Sequence, residues 1–88
     1  MNKNEFLKVF GERARILRLT KRITQKELAQ MSGVSAVTIS LYEGKNATKM
    51  PSALTVARIA QALGTSMDYL CGIDEKEKTA QSGNSETV

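Results

Sequence analysis

Residues 24–44, TQKELAQMSGVSAVTISLYEG, constrain this chain more than any other stretch. Thr24 precedes Glu27 by three residues, the spacing of a capping box. There a side-chain oxygen and a carboxylate satisfy the first free N–H groups of a helix. The pattern predicts a helix over 25–32, with Leu28, Ala29 and Met31 available for packing. Gly33 stands where the helix C-cap needs a left-handed backbone, a conformation that costs glycine little. Ser35 then caps a second helix over 36–43, with Val34 ahead of it as a staple residue and Gly44 as its stop. Ile39 and Tyr42 form its inner face. Two short helices joined by a three-residue turn must pack against each other and leave one face of the second outward.

At 88 residues the chain is long enough for one domain and too short for two. With 41% apolar residues but only two Phe and two Tyr, the core must come from Leu, Ile, Val, Ala and Met, which favours packed helices over a sheet. Charge is unevenly placed. Residues 1–73 carry eleven Lys/Arg against five Asp/Glu, whereas 74–88 carry two against four. A basic domain followed by a mildly acidic tail suits a polyanionic partner. Cys71 is the sole cysteine and there is no histidine, so neither a disulfide framework nor a zinc site is expected, and a reducing compartment fits. MNKNEFLKVF lacks a signal-peptide core and no segment is long and apolar enough to span a bilayer. The expectation is a soluble cytoplasmic protein.

Asn4 is read as the N-cap of a first helix ending near Thr20 or Lys21, with Phe6, Phe10, Ala14 and Leu17 as its apolar stripe. Arg13, Arg15, Arg18, Lys21 and Arg22 fall largely outside that stripe. Residues 44–50 read as a polar loop. Pro51 and Ser52 open a fourth helix, with Leu54, Ala57, Ile59 (at the edge), Ala60 and Leu63 on its buried face, and Gly64 ends it. Ser66 caps a short fifth helix over 67–71, with Leu70 inward and Cys71 an inert small hydrophobe near its end. Tyr42 and the methionines are assigned to the core. The expected fold is all-α: a compact five-helix bundle over 1–73, with 74–88 a disordered polar tail.

A polar helix, a glycine turn and a second capped helix have the spacing of a DNA-binding helix-turn-helix. FGERARILRLTKRITQKELAQMSGVSAVTISLYEGK, followed by MPSALTVARIAQALGTSMDYLCG, resembles the phage Cro and lambda-repressor-like, or Xre-type, regulators over roughly residues 10–72. The resemblance rests on pieces agreeing at fixed distances: Gln25-x-x-Leu28-Ala29, Gly33-Val34-Ser35, Thr38-Ile39-Ser40, Glu43-Gly44-Lys45 and Ala60-x-Ala62-Leu63-Gly64. It implies a five-helix domain that binds a palindromic operator as a homodimer. Helix 3 would lie in the major groove and helix 2 across the backbone. It also implies an ion pair between Arg18 and Glu43, and a two-fold contact through Ala53, Leu54 and the Gly64-Thr65-Ser66 region. The chain departs from the family at Arg22, where Gly is common. It departs again at Ala36, Val37 and Leu41, where Arg, Gln, Lys or Asn are common. No Lys or Arg occurs from Glu27 through Gly44.

The candidate DNA-contacting residues are Thr24 and Gln25 at the start of helix 2, then Ser35, Ala36, Val37, Thr38, Ser40 and Leu41, then Lys45, Asn46 and Lys49 in the following loop. Gln25 would donate to a phosphate beside the positive end of a helix. Thr38 is the stronger base or phosphate contact. Ser40 reads equally as a packing residue under helix 2. Ala36, Val37 and Leu41 admit two readings, contact with thymine methyls or a surface that lacks base readers and meets a protein. Lys45, Asn46 and Lys49 would clamp phosphates.

The leading expectation is a sequence-specific double-stranded DNA-binding regulator, a repressor acting by promoter occlusion. The alternative is a protein-interaction module of the same fold, such as an antitoxin or antirepressor-like partner. An enzyme is not expected: the sequence has no histidine, no cysteine-based dyad, no glycine-rich phosphate loop and no metal-ligand cluster. No cofactor or small-molecule ligand is evident.

Overall fold

The computed structural model describes residues 1–73, and the expected tail, 74–88, lies outside them. Five helices follow in chain order: α1 (Lys3–Thr20), α2 (Gln25–Ser32), α3 (Ala36–Glu43), α4 (Ala53–Leu63) and α5 (Met67–Cys71). The described residues are all helix and connection, as the residue pattern predicts.

Every helix begins on a side-chain cap. Thr24 Oγ1 accepts from the Glu27 N–H at 3.0 Å, and the Glu27 carboxylate accepts from the Thr24 N–H at 2.8 Å. Ser35, Ser52 and Ser66 accept from the N–H groups of Thr38, Thr55 and Tyr69. Such caps contribute about 1 kcal/mol each, and they set where short helices start. Gly33 takes φ +76°, the left-handed cap expected of it. Gly44, in contrast, leaves α3 in an extended conformation. Arg22 adopts φ +60°, so this chain keeps the left-handed turn after α1 with a residue for which that turn is strained.

α1 packs on α3, α4 and α5, while α2 packs on α3 and α4. Phe10, Leu28, Ile39, Ile59, Leu63 and Leu70 are fully buried where these faces meet. The Phe10 ring meets Tyr42 edge-on, centroids 5.3 Å apart, and stacks on Phe6 at 5.7 Å. Burial pushes the Tyr42 phenol above its ordinary pKa, with a hydrogen bond to Thr55 opposing the shift. Tyr42 is therefore core, as expected.

Several expectations are corrected. Asn2, and not Asn4, caps α1: its side chain accepts from the Glu5 N–H at 2.8 Å, and Glu5 accepts from the Asn2 N–H at 3.0 Å. The inward face of α1 is Leu7, Phe10, Gly11, Ala14 and Arg18, with Phe6 and Leu17 half-buried beside it. Helical rotation places Leu7 with Phe10, Gly11 and Ala14, and an apolar residue at both 6 and 7 hides that phase. On α4, Val56 is buried and Leu54 is 58% exposed. The methionines are not core: Met1, Met31, Met50 and Met67 are all exposed.

Arg18, expected to lie largely outside the stripe, is buried. Its Nε donates to Glu43 Oε2 and its Nη2 to Glu43 Oε1, both at 2.9 Å, and its Nη1 donates to the Ile23 carbonyl at 2.8 Å. Gln25 Nε2 donates to the same carboxylate at 3.0 Å. Only 10% and 4% of the Arg18 and Glu43 side-chain surfaces remain exposed, so both charges are largely removed from water. The hydrogen bond to Glu43 holds the guanidinium pKa above its ordinary value, burial opposes it, and attraction to Glu43 adds to it. One carboxylate thus fastens α1, the α1–α2 turn and the start of α2 to the last residue of α3. No buried side-chain polar atom among the described residues lacks a partner.

Gly11 makes the approach of α1 to α3 possible. A Cβ built there would overlap the Tyr42 carbonyl oxygen, a backbone atom that cannot swing aside. Gly11→Ala is expected to lower stability by about 1–3 kcal/mol through overpacking, despite the roughly 1 kcal/mol that alanine gains in helix propensity. Urea denaturation measures it, and an unchanged midpoint would contradict so close an approach. Glu43→Ala leaves the Arg18 guanidinium buried without its partner and is expected to cost about 3–5 kcal/mol in the same assay. The double replacement Arg18→Met with Glu43→Leu removes both charges and should recover most of that loss.

Candidate nucleic-acid interface

α3 is short, and its inner face is spent on Ile39 and Tyr42. At 100° per residue, the direction opposite those two is occupied by Val37, with Ser40 and Leu41 on either side. Burial agrees with that rotation: Val37 is 71% exposed, Leu41 is 51% exposed and Ser40 is exposed. Ser40 therefore does not pack beneath α2. Ala36 and Thr38 are half-buried at the flanks of this face. The Ser35 hydroxyl donates to Thr38 Oγ1 at 2.8 Å while accepting from the Thr38 N–H. That leaves the Thr38 hydroxyl hydrogen available to an outside acceptor.

Thr24 is exposed but occupied as a cap. Gln25 is half-buried, and one of its amide hydrogens is committed to Glu43. Its second amide hydrogen remains to be donated to a phosphate, and its carbonyl oxygen to accept from a water. The Gln25–Glu43 bond sets the start of α2 beside the end of α3, so these two helix termini form one edge. Lys45, Asn46 and Lys49 are exposed in the connection that leaves that edge. Arg22 and Lys26 are exposed on the α1–α2 side of it.

The edge is electropositive in what it shows to solvent. Glu43 is bonded to Arg18 and Gln25 and largely removed from water, whereas Glu27 accepts from the Thr24 N–H at an exposed position, where the exposed Arg22, Lys26, Lys45 and Lys49 outnumber it. Lys21 lies elsewhere, its ammonium beside Gly64 at the end of α4. An open groove of about 1080 Å³ separates α1 from the start of the α3–α4 connection, lined in part by Lys8, Glu12, Arg15, Ile16 and Lys45. The residues expected at a two-fold contact are also at the surface: Ala53 and Leu54 are exposed and Thr65 is half-buried.

Arg13 carries no distinguishing signal in its local pattern. Its Nη1 donates to the Tyr69 carbonyl at 2.7 Å and its guanidinium lies 4.3 Å from the Tyr69 ring centre, clasping α5 to α1. Nothing near either residue in the sequence announces that pairing across 56 positions. Cys71 is half-buried, and burial with nearby Asp68 pushes its thiol pKa up, away from reactive thiolate character. No group of His, Cys, Asp and Glu able to hold a metal occurs among the described residues. No described helix is long and apolar enough to cross a membrane.

Comparison with known proteins agrees with this geometry. A family model described as helix-turn-helix matches residues 15–70, from the middle of α1 to α5. No curated protein and no solved structure matches the chain. The match covers more than half of the sequence, including both helices of the motif and the turn between them, and the chain belongs to the Xre and lambda-repressor-like helix-turn-helix family.

Proposed function

We propose that this protein is a transcriptional repressor that binds a palindromic duplex as a homodimer, with α3 in the major groove. Family membership supports DNA binding of the regulator type. The observation that carries the finer reading is the face of α3 opposite Ile39 and Tyr42. It stands clear of the bundle while cations flank both ends of the edge it belongs to.

In this reading Thr24, Gln25, Lys45, Asn46 and Lys49 hold phosphates and fix register, a role that carries no sequence information directly. Ser35, Ala36, Val37, Thr38, Ser40 and Leu41 face the base edges. Ala53, Leu54 and Thr65 meet their counterparts across the two-fold, which sets the two copies of α3 about 34 Å apart on one side of the duplex. Repression then follows from occupancy, because two seated domains exclude other proteins from the same DNA. A protein-docking role for the same face is the second reading, favoured by the 71% exposure of apolar Val37.

Salt separates the two. If the dimer neutralises about six to ten phosphates, duplex affinity should fall roughly 10³–10⁵-fold between 50 and 200 mM salt. Selection from a random duplex pool at about physiological salt should return a palindrome. Lys45→Ala or Lys49→Ala should weaken binding alike across sequences and reduce the salt slope by about 1 for each phosphate no longer neutralised. Salt-insensitive binding, or no duplex binding at 50 mM, would favour the protein-docking role.

A further inference from the structure

We infer that α3 reads thymine by its C5-methyl group through Val37 and Leu41, so that the sites it selects are defined by methyls and not by purine hydrogen-bond patterns. This rests on the DNA-binding reading and names the chemistry of its ligand. Among base edges, the major groove alone displays that methyl. Val37 and Leu41 are one helical turn apart, so their side chains are neighbours on the same face, and both are exposed. Together they form an aliphatic ridge long enough to meet methyls on adjacent base pairs.

The surroundings decide for a polyanion over an apolar protein surface. No Lys or Arg lies between Glu27 and Gly44, so the ridge itself carries no cation to donate to guanine O6 and N7. The cations stand outside it, at Arg22, Lys26, Lys45 and Lys49, all exposed. The Glu43 carboxylate is bonded internally, and the four exposed cations outnumber the exposed Glu27 carboxylate, which leaves the ridge framed by net positive charge. An apolar centre with a cationic rim matches a groove floor that offers methyls between two phosphate walls. Ser40 beside the ridge and the free Thr38 hydroxyl hydrogen supply the polar contacts.

The test removes the methyl and nothing else. Duplexes recovered by the full chain from a random pool are resynthesised with deoxyuridine in place of thymidine, one half-site position at a time and then together. At least two positions per half-site should require thymine, and replacing both should weaken binding by about tenfold, given the transfer free energy of two buried methyls. The variant Val37→Ala with Leu41→Ala should bind thymine and uracil duplexes alike and keep the wild-type salt slope. Its thermal midpoint should stay close to that of wild type, because neither side chain is core. Equal wild-type affinity for thymine and uracil duplexes, with salt dependence intact, would overturn methyl reading and leave DNA binding standing. Failure to bind any duplex at 50 mM salt would overturn both.

Discussion

The bidentate bond between Arg18 and the Glu43 carboxylate is the interaction on which the rest of the structure depends. Glu43 is the last residue of α3, so whatever holds it fixes the angle at which α3 leaves the bundle. Arg18 approaches from α1, Gln25 from the start of α2, and the Ile23 carbonyl fills the remaining side of the guanidinium. A pair this dry brings little net stability compared with apolar residues of the same size, since desolvation offsets the attraction. Its contribution is geometric. Four groups, one each from α1, the α1–α2 turn, α2 and α3, agree on one position, and a short helix with two core residues gains an orientation that packing alone would leave loose.

That arrangement also divides labour between charge and shape. Charges near α3 are either consumed in holding it or displaced to the connection after it and to the α1–α2 side of the edge. The outer face is left to small and aliphatic side chains. In the proposed reading, cations supply most of the affinity and the ridge supplies discrimination of modest size per base pair. Sequence-dependent groove shape then carries a larger share of specificity than in relatives with Arg or Gln at these positions.

How much is legible in the sequence follows from what each residue's signal depends on. The α2–turn–α3 unit reads directly, because capping boxes, a glycine in the left-handed region and a serine cap act within four residues of themselves. The start of α1 is equally local. Asn2 and Glu5 form a capping box, but a second asparagine at position 4 competes with it in the pattern. The phase of α1 and α4 is harder, because both carry apolar residues on more than one side. Leu7 and Val56 are distinguished only by burial in the folded chain, where Phe6 is half-buried and Leu54 exposed. Gly11 gives no turn signal, and its reason lies in the Tyr42 backbone, far along the chain. Arg18 reads as one more cation outside the apolar stripe from its local pattern, and only the family resemblance pairs it with Glu43, 25 positions away. The methionines end up exposed because leucine, isoleucine and phenylalanine fill the space at the centre.

The most direct test of the account is a backbone amide chemical-shift titration of the full chain with a selected duplex at about 50 mM salt, where phosphate contacts are strong. Engagement through α3 predicts the largest perturbations at Thr24 and Gln25, along Ser35 to Leu41, and at Lys45 to Lys49, with the amides of α5 nearly still. Perturbations centred on α5 with α3 unmoved would contradict it.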